Sequence, residues 1–309
     1  MRRPPKNRVL ATVALSVCAG LLGACGGGGS EESEAPSDSP PTSAEEQVPS
    51  GSFSSLSYNV AGLPQGINPD QFPEQHIPLM SPLLDEYDVV VVQEDFAYPD
   101  LLRAEASHEF QTEPHPGPAE LNPIGRETAA VGDGLNVFST LRLGELDRVP
   151  WRTCGDASGD CLSLKGFAAT TLQLDEEVSI DLYTLHLDAG GADTAVRADN
   201  LEQLAAHLQE QADDAVLLGG DWNLNYDEDP DGEQLRSFMA ATGLQDVCDV
   251  VDCGADDDVI DRFLFRSGDR VSLTPTSHRF ERDVFVNGAG GPLSDHDPLA
   301  VQWDWSANE

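Results

Sequence analysis

Six times along this chain a short apolar run adjoins a polar side chain able to bind a cation or carry a proton. Asn59 follows Leu56-Ser57-Tyr58, Glu94 follows Val89 to Gln93, and His186 follows Leu182 to Leu185. Asp221 and Asn223 follow Val216 to Gly220, Asp261 precedes Arg262 to Phe265, and Asp295-His296 precedes Pro298 to Val301. A buried strand that ends in a carboxylate, amide or imidazole delivers that group to the edge of its sheet. Several such ends side by side make a rigid polar cleft. Any one of them has a plain reading as a solvated strand end, a turn or a surface loop. Their coincidence is what points to chemistry.

The runs themselves are β-rich: 53–59, 89–93, 134–139, 167–174, 179–186, 215–219, 262–265 and 299–303. Thr194–Gln211 reads as a helix, because Leu201, Leu204, Ala205 and Leu208 fall on one face. A second, weaker helix spans Glu233–Thr242 and stops at Gly243. Val89–Val92 is uniformly apolar, as in a strand covered on both faces, whereas Ser179–His186 alternates in places. This mixture predicts an α/β fold: a four-layered sandwich of two packed, mainly antiparallel sheets flanked by helices.

The N-terminus reads as an export signal. A basic stretch, Met1 to Arg8, precedes an apolar run, Val9 to Leu22, that is short for a bilayer span. The run ends in Leu22-Gly23-Ala24-Cys25 and then four glycines, which resembles a bacterial lipoprotein signal with lipidation at Cys25. The expected organisation is therefore a signal peptide over 1–24, a lipidated cysteine with a flexible acidic Gly/Ser/Pro tether over 25–51, and one folded domain over 52–309. Cleavage would remove four of the 17 Lys+Arg and none of the 55 Asp+Glu, moving the net charge from −38 to −42. Such a surface repels polyanions, so nucleic acid is disfavoured as a partner.

Export also changes how the cysteines read. Cys154, Cys161, Cys248 and Cys253 remain, with three possible pairings, of which the two short loops Cys154–Cys161 and Cys248–Cys253 are the simplest. A four-cysteine zinc site is the weaker alternative, because neither spacing is that of a zinc knuckle.

Taken in order, the polar endings resemble the motifs of the endonuclease/exonuclease/phosphatase superfamily, which includes DNase I-like nucleases, inositol-phosphate phosphatases and bacterial neutral sphingomyelinases. The resembling segments are Ser57-Tyr58-Asn59-Val60, Gln93-Glu94, Leu185-His186-Leu187, Gly220-Asp221-Trp222-Asn223, Ile260-Asp261-Arg262 and Ser294-Asp295-His296-Asp297-Pro298-Leu299. The resemblance implies that Glu94 is the principal ligand of Mg2+, or of another divalent cation such as Mn2+ or Ca2+, supported by Asn59 and Asp295. It implies that His296 is the general base, oriented by Asp261. Asp221 and Asn223 would position the nucleophile and a phosphate oxygen, and His186 would donate to the developing charge. The implied reaction is hydrolysis of a phosphodiester by activated water.

Ser57–Gly66, Gln93-Glu94-Asp95-Phe96, Gly132-Asp133-Gly134-Leu135 and Lys165-Gly166-Phe167 are similar to the sphingomyelinase/phospholipase C-like branch, which implies a phospholipid or sphingomyelin-like substrate. The chain lacks an evident apolar hairpin of the kind haemolytic members insert, and Trp151 reads as a core residue. A nuclease and a non-catalytic binding module remain the rival readings. His115 lies in a Pro/Gly-rich loop that could overhang a cleft. Lys165, the one lysine beyond Lys6, could meet substrate phosphate or pair with an acid. The acidic stretches 227–231 and 256–258 could hold Ca2+ but read as solvated loops.

Overall fold

The computed structural model describes residues 48–308 except 157, 212 and 255–258. The signal peptide, the lipidated cysteine, most of the tether and the acidic run 256–258 lie outside the described residues.

Two six-stranded sheets form the centre. The first has the order β11-β12-β1-β2-β4-β3, from β1 (Ser50–Asn59), β2 (Val89–Gln93), β3 (Phe110–Gln111), β4 (Asn136–Ser139), β11 (Val271–Phe280) and β12 (Leu299–Ala307). The second has the order β5-β6-β7-β8-β10-β9, from β5 (Asp147–Pro150), β6 (Gly166–Asp175), β7 (Val178–His186), β8 (Val216–Asp221), β9 (Gln245–Asp246) and β10 (Asp261–Arg266). Among the described residues only β1 with β2 and β7 with β8 pair in parallel; the other pairings are antiparallel. Helices α1 (Pro73–Met80) and α2 (Pro99–Arg103) belong to the first sheet's outer layer, and α3 (Thr194–Gln209) and α4 (Asp231–Thr242) to the second's.

Strand period explains the layering. Along β2, Val89 and Val91 enter the core between the sheets, while Val90 and Val92 enter the core shared with α1 and α2. The uniformly apolar run is thus a strand buried on both faces. In β8, Leu217 faces the inter-sheet core, and Val216 and Leu218 pack beneath α3 and α4 with Leu201, Leu204, Leu208 and Phe238. Each such burial removes a side chain from water for roughly 1.5–3 kcal/mol.

The same parity sets up the site. In five of the strands the inward face ends on a polar residue: Ser57 and Asn59 after Phe53, Gln93 after Val91, His186 after Leu182, Asp221 after Leu217, and Asp261 before Phe263. Register aligns these ends, with Asn59 opposite Gln93, His186 opposite Asp221, and Asp221 opposite Asp261. The polar cleft is therefore one open end of the inter-sheet core.

Several elements were not anticipated. The edge strand β11 contains Pro275 and a register shift between Pro275 and Ser277, and an edge bulge is where a sheet tolerates proline. Strand β1 begins at Ser50, inside the stretch assigned to the tether. By contrast, the two short disulfides read as simplest from the sequence, Cys154–Cys161 and Cys248–Cys253, are formed as expected. No helix among the described residues is long and apolar enough to cross a membrane.

Candidate active site

The expected residues meet at the cleft. His296 Nδ1 lies 2.8 Å from Asp261 Oδ2, and its Nε2 lies 3.6 Å from Asp221 Oδ2. His186 Nε2 is 3.1 Å from the same Asp221 oxygen and 4.0 Å from Glu94 Oε1. Asn59 Nδ2 donates to Asp221 Oδ2 at 3.0 Å, and Asn223 N–H donates to Asp221 Oδ1 at 3.1 Å. Asp221 is thus the hub, and Glu94, His186 and His296 are reached from it in one or two contacts. Asp295 is exposed, and Asp295, His296 and Asp261 line a common cavity of about 340 Å³.

Backbone conformation aims two of these side chains. Ala61, Glu94 and Asn223 are the non-glycine residues with positive φ among the described residues, at 49°, 60° and 49°. Each turns the chain just past a strand end, and a left-handed non-glycine residue stays there only where its surroundings hold it. Glycines supply part of that support: a Cβ on Gly62 would lie 2.3 Å from Glu94 O, and one on Gly134 would lie 3.0 Å from Glu94 Cα.

Buried polar neighbours fix the rest. Gln93 spans the sheets, donating to Thr184 Oγ1 at 3.0 Å and Ser57 Oγ at 3.4 Å. Beyond Glu94, Asp95 accepts from Arg103 and Asn136 at 2.7 and 2.9 Å. Ser294 Oγ donates to Asn59 O at 2.7 Å, which ties the Asp295-His296 segment to the end of β1. Trp151, fully buried as expected, donates from Nε1 to His186 O at 2.8 Å. Asn223 Nδ2 donates to Leu187 O at 3.0 Å.

Charges in the site are interdependent. Burial raises the Asp221 carboxyl, but His186 and His296 outweigh it and hold the group well below the usual range. Burial lowers His296, but Asp261 and Asp221 outweigh it and push the imidazole up to about 10. Burial lifts Asp261 to about 6 against the pull of His296. His296 thus lies between two carboxylates, those of Asp261 and Asp221.

Lys165 pairs with Asp160 at 2.5 Å and is buried, which is the structural one of its two anticipated roles. His115 packs against Gly132, its half-buried ring lowered by burial, with Nδ1 accepting from Gly117 N–H at 2.9 Å. In the stretch 227–231, Asp229 pairs with Arg236 and Asp231 pairs with Arg197, each at 3.0 Å. Among residues not singled out from sequence, Asp188 is completely buried, and only its position after Leu185-His186-Leu187 could have flagged it.

No protein-family model matches the chain. The sphingomyelinases of Mycobacterium tuberculosis and Mycobacterium bovis are 36% identical to it over 277 residues, covering 84% of this chain and 54% of theirs. The chain thus spans about half the length of these curated relatives. Among solved structures, a Staphylococcus aureus beta toxin variant with bound magnesium ions superposes with a TM-score of 0.60 at 16% identity, covering 81% of this chain and 99% of that one. Sphingomyelinase C from Streptomyces griseocarneus superposes with a TM-score of 0.57 at 20% identity, covering 84% and 100%. Sequence kinship and shared fold agree with the order of the motifs: the chain is a homologue of these sphingomyelinases and has the DNase I-like fold of its structural neighbours.

Proposed function

We propose that the protein is a divalent-cation-dependent phosphodiesterase that hydrolyses a phospholipid of the sphingomyelin type. The observation that carries this reading is the unbroken series of contacts from Glu94 through His186, Asp221 and His296 to Asp261 at one end of the core. It combines an acid–base dyad, hydrogen-bond donors and accessible carboxylates in one cleft. Kinship with sphingomyelinases and a strongly acidic body, ill matched to DNA, support the substrate class.

The donor set suits a hard cation. Glu94 has a partly accessible carboxylate that lies no nearer than 4.0 Å to His186 Nε2, and Asp295 offers a second, exposed one. Asn59 Oδ1 accepts from Ala61 N–H at 3.0 Å and keeps one lone pair for a cation. Oxygen ligands of this kind fit Mg2+, Mn2+ or Ca2+. When bound, the ion supplies Lewis-acid polarisation of a phosphoryl oxygen.

The remaining roles belong to the chain. Asp261 accepts from His296 Nδ1–H, which leaves Nε2 as the atom that takes the proton from attacking water. The ring can act only when neutral, and positive charge held at Glu94 and Asp295 opposes the carboxylates that keep it protonated. Asp221, fixed by Asn59, His186 and Asn223 N–H, orients that water on the side away from the leaving group. Asn223 has its Nδ2 tied to Leu187 O and presents Oδ1 to the same water. His186 aims Nε2 into the gap between Asp221 and Glu94, where a non-bridging phosphoryl oxygen would compete for its proton.

We also read the protein as an exported lipoprotein, with a leader over 1–24, a tether from Cys25 to about 51 and the catalytic domain beyond. The Leu22-Gly23-Ala24-Cys25 sequence and two disulfides support this. Sphingomyelin, phosphatidylcholine and plasmid DNA, assayed side by side with Mg2+ and with EDTA, test the proposed activity. The expected result is EDTA-sensitive release of phosphocholine from sphingomyelin and intact plasmid. Plasmid cleavage without lipid hydrolysis would overturn it.

A further inference from the structure

Among the described residues, two groups of three side chains place their ligand atoms within 4.8 Å of one another, close enough to share an ion. Asp221, Asp261 and His296 belong to the cleft. The other group, Cys248, Cys253 and His278, joins the edges of the two sheets. Cys248 and Cys253 follow β9, the outermost strand of the second sheet. His278 stands on β11, the outermost strand of the first sheet, with its ring edge-on to Phe280 at 5.4 Å. The turn Val247–Asp249 packs against β11, which brings the cysteines to the histidine.

The two cysteines are joined as a disulfide, with their Cα atoms 5.4 Å apart. That bond closes the loop only on itself. The pair is separated by five positions, which is the Cys-x4-Cys spacing at the upper end of the range over which two cysteines chelate one zinc ion. Thiolate and imidazole ligands stand about 2.3 and about 2.0–2.1 Å from zinc, hence roughly 3.5–3.8 Å from one another. The three ligand atoms already lie within a span that admits this arrangement.

We infer that Cys248, Cys253 and His278 form a redox-gated site for one Zn2+ ion. A small thiol attacks one sulfur of the disulfide, a second equivalent releases the other, and the two equivalents leave as their own disulfide. The exchange passes two electrons and two protons to the cysteines. Zn2+ then displaces the two thiol protons and takes both thiolates and one ring nitrogen of His278, with water in the fourth tetrahedral position. Two thiolates and an imidazole select Zn2+ over Mg2+ or Ca2+, which take oxygen, so this site and the cleft draw on different ions. Loaded, the site fastens the loop after β9 to β11, and with it the edge of one sheet to the edge of the other. Val259 and Ile260 on the same inter-strand segment, and Phe280 two positions past His278, line the cavity beside His296, so the clip acts on a wall of the cleft.

Titration of Co2+, a spectroscopic stand-in for zinc, into the full chain reduced by a phosphine tests the site without reference to activity. The phosphine takes its oxygen from water and adds no competing thiolate. The expected result is intense thiolate-to-cobalt absorption in the near ultraviolet, removed by added Zn2+ and absent from the oxidised parent. The double variant Cys248→Ser, Cys253→Ser keeps Cys154 and Cys161 and should lack this absorption. His278→Ala should weaken binding by about ten-fold or more. If that variant fails to fold by circular dichroism, Cys253→Ser alone takes its place and should bring at least the same loss. A reduced parent without thiolate absorption, equal absorption in the parent and the double variant, or equal affinity in the parent and the single variant would overturn the site. The oxygen and imidazole ligands of the cleft give no such absorption, so that failure is separate from failure of the proposed activity.

Discussion

His296 Nδ1 and Asp261 Oδ2 stand 2.8 Å apart at the ends of two segments separated by 35 positions in sequence, and this contact fixes which imidazole nitrogen faces the cleft. Replacing His296 with Ala removes the proposed proton acceptor and should lower kcat by about 10²–10⁴-fold with little change in KM. Asp261→Asn keeps the shape but can present the wrong tautomer, and a loss of similar size is expected. Steady-state kinetics on protein shown to be folded check both.

Glu94→Gln exchanges a carboxylate for an amide at the proposed cation ligand. The Mg2+ concentration for half-maximal activity should rise by about ten-fold or more, while the unfolding midpoint in EDTA stays close to that of the parent. Activity measured across a Mg2+ series, paired with thermal unfolding, separates loss of the ion from loss of the fold.

A methyl group at position 62 would lie 2.3 Å from Glu94 O, so Gly62→Ala must push the Glu94 turn aside. A destabilisation of about 1–3 kcal/mol is expected, together with weaker cation activation. Denaturant unfolding reads the first and the Mg2+ series the second.

Asp188 gives a pH prediction that does not involve the catalytic dyad. Its folded pKa is raised from 3.8 to about 6, so its favourable contribution is present below the unfolded value and is lost as pH rises through about 6. In EDTA, the unfolding temperature of the parent should fall relative to Asp188→Asn between about pH 4 and pH 6. Parallel curves across that interval would contradict the burial argument.

Much of this architecture was legible in the sequence because strand parity is local. Val89 to Val92 announces a strand covered on both faces, and six of the apolar runs adjoin a residue that the fold brings to the cleft. The helix at Leu201, Leu204 and Leu208 was readable from its apolar face. Other features depend on tertiary context. Strand β11 mixes Pro275 with threonines and serines and is held by β12 rather than by its own pattern. Helix α1 is eight residues long with Pro78 inside it, too short for periodicity to register. The contact of Gly155 N–H with the buried Asp188 carboxylate joins positions 33 residues apart, and neither segment alone reveals it.

Hydrolysis of bis(p-nitrophenyl) phosphate, followed as nitrophenolate release, tests most directly whether these scattered side chains act together on a phosphodiester. The parent with Mg2+ should turn over the ester, stop on addition of EDTA and recover when Mg2+ is restored, while the His296→Ala protein stays near background throughout. Turnover that persists in EDTA, or that survives His296→Ala, would contradict a cation-dependent centre built on Glu94 and His296.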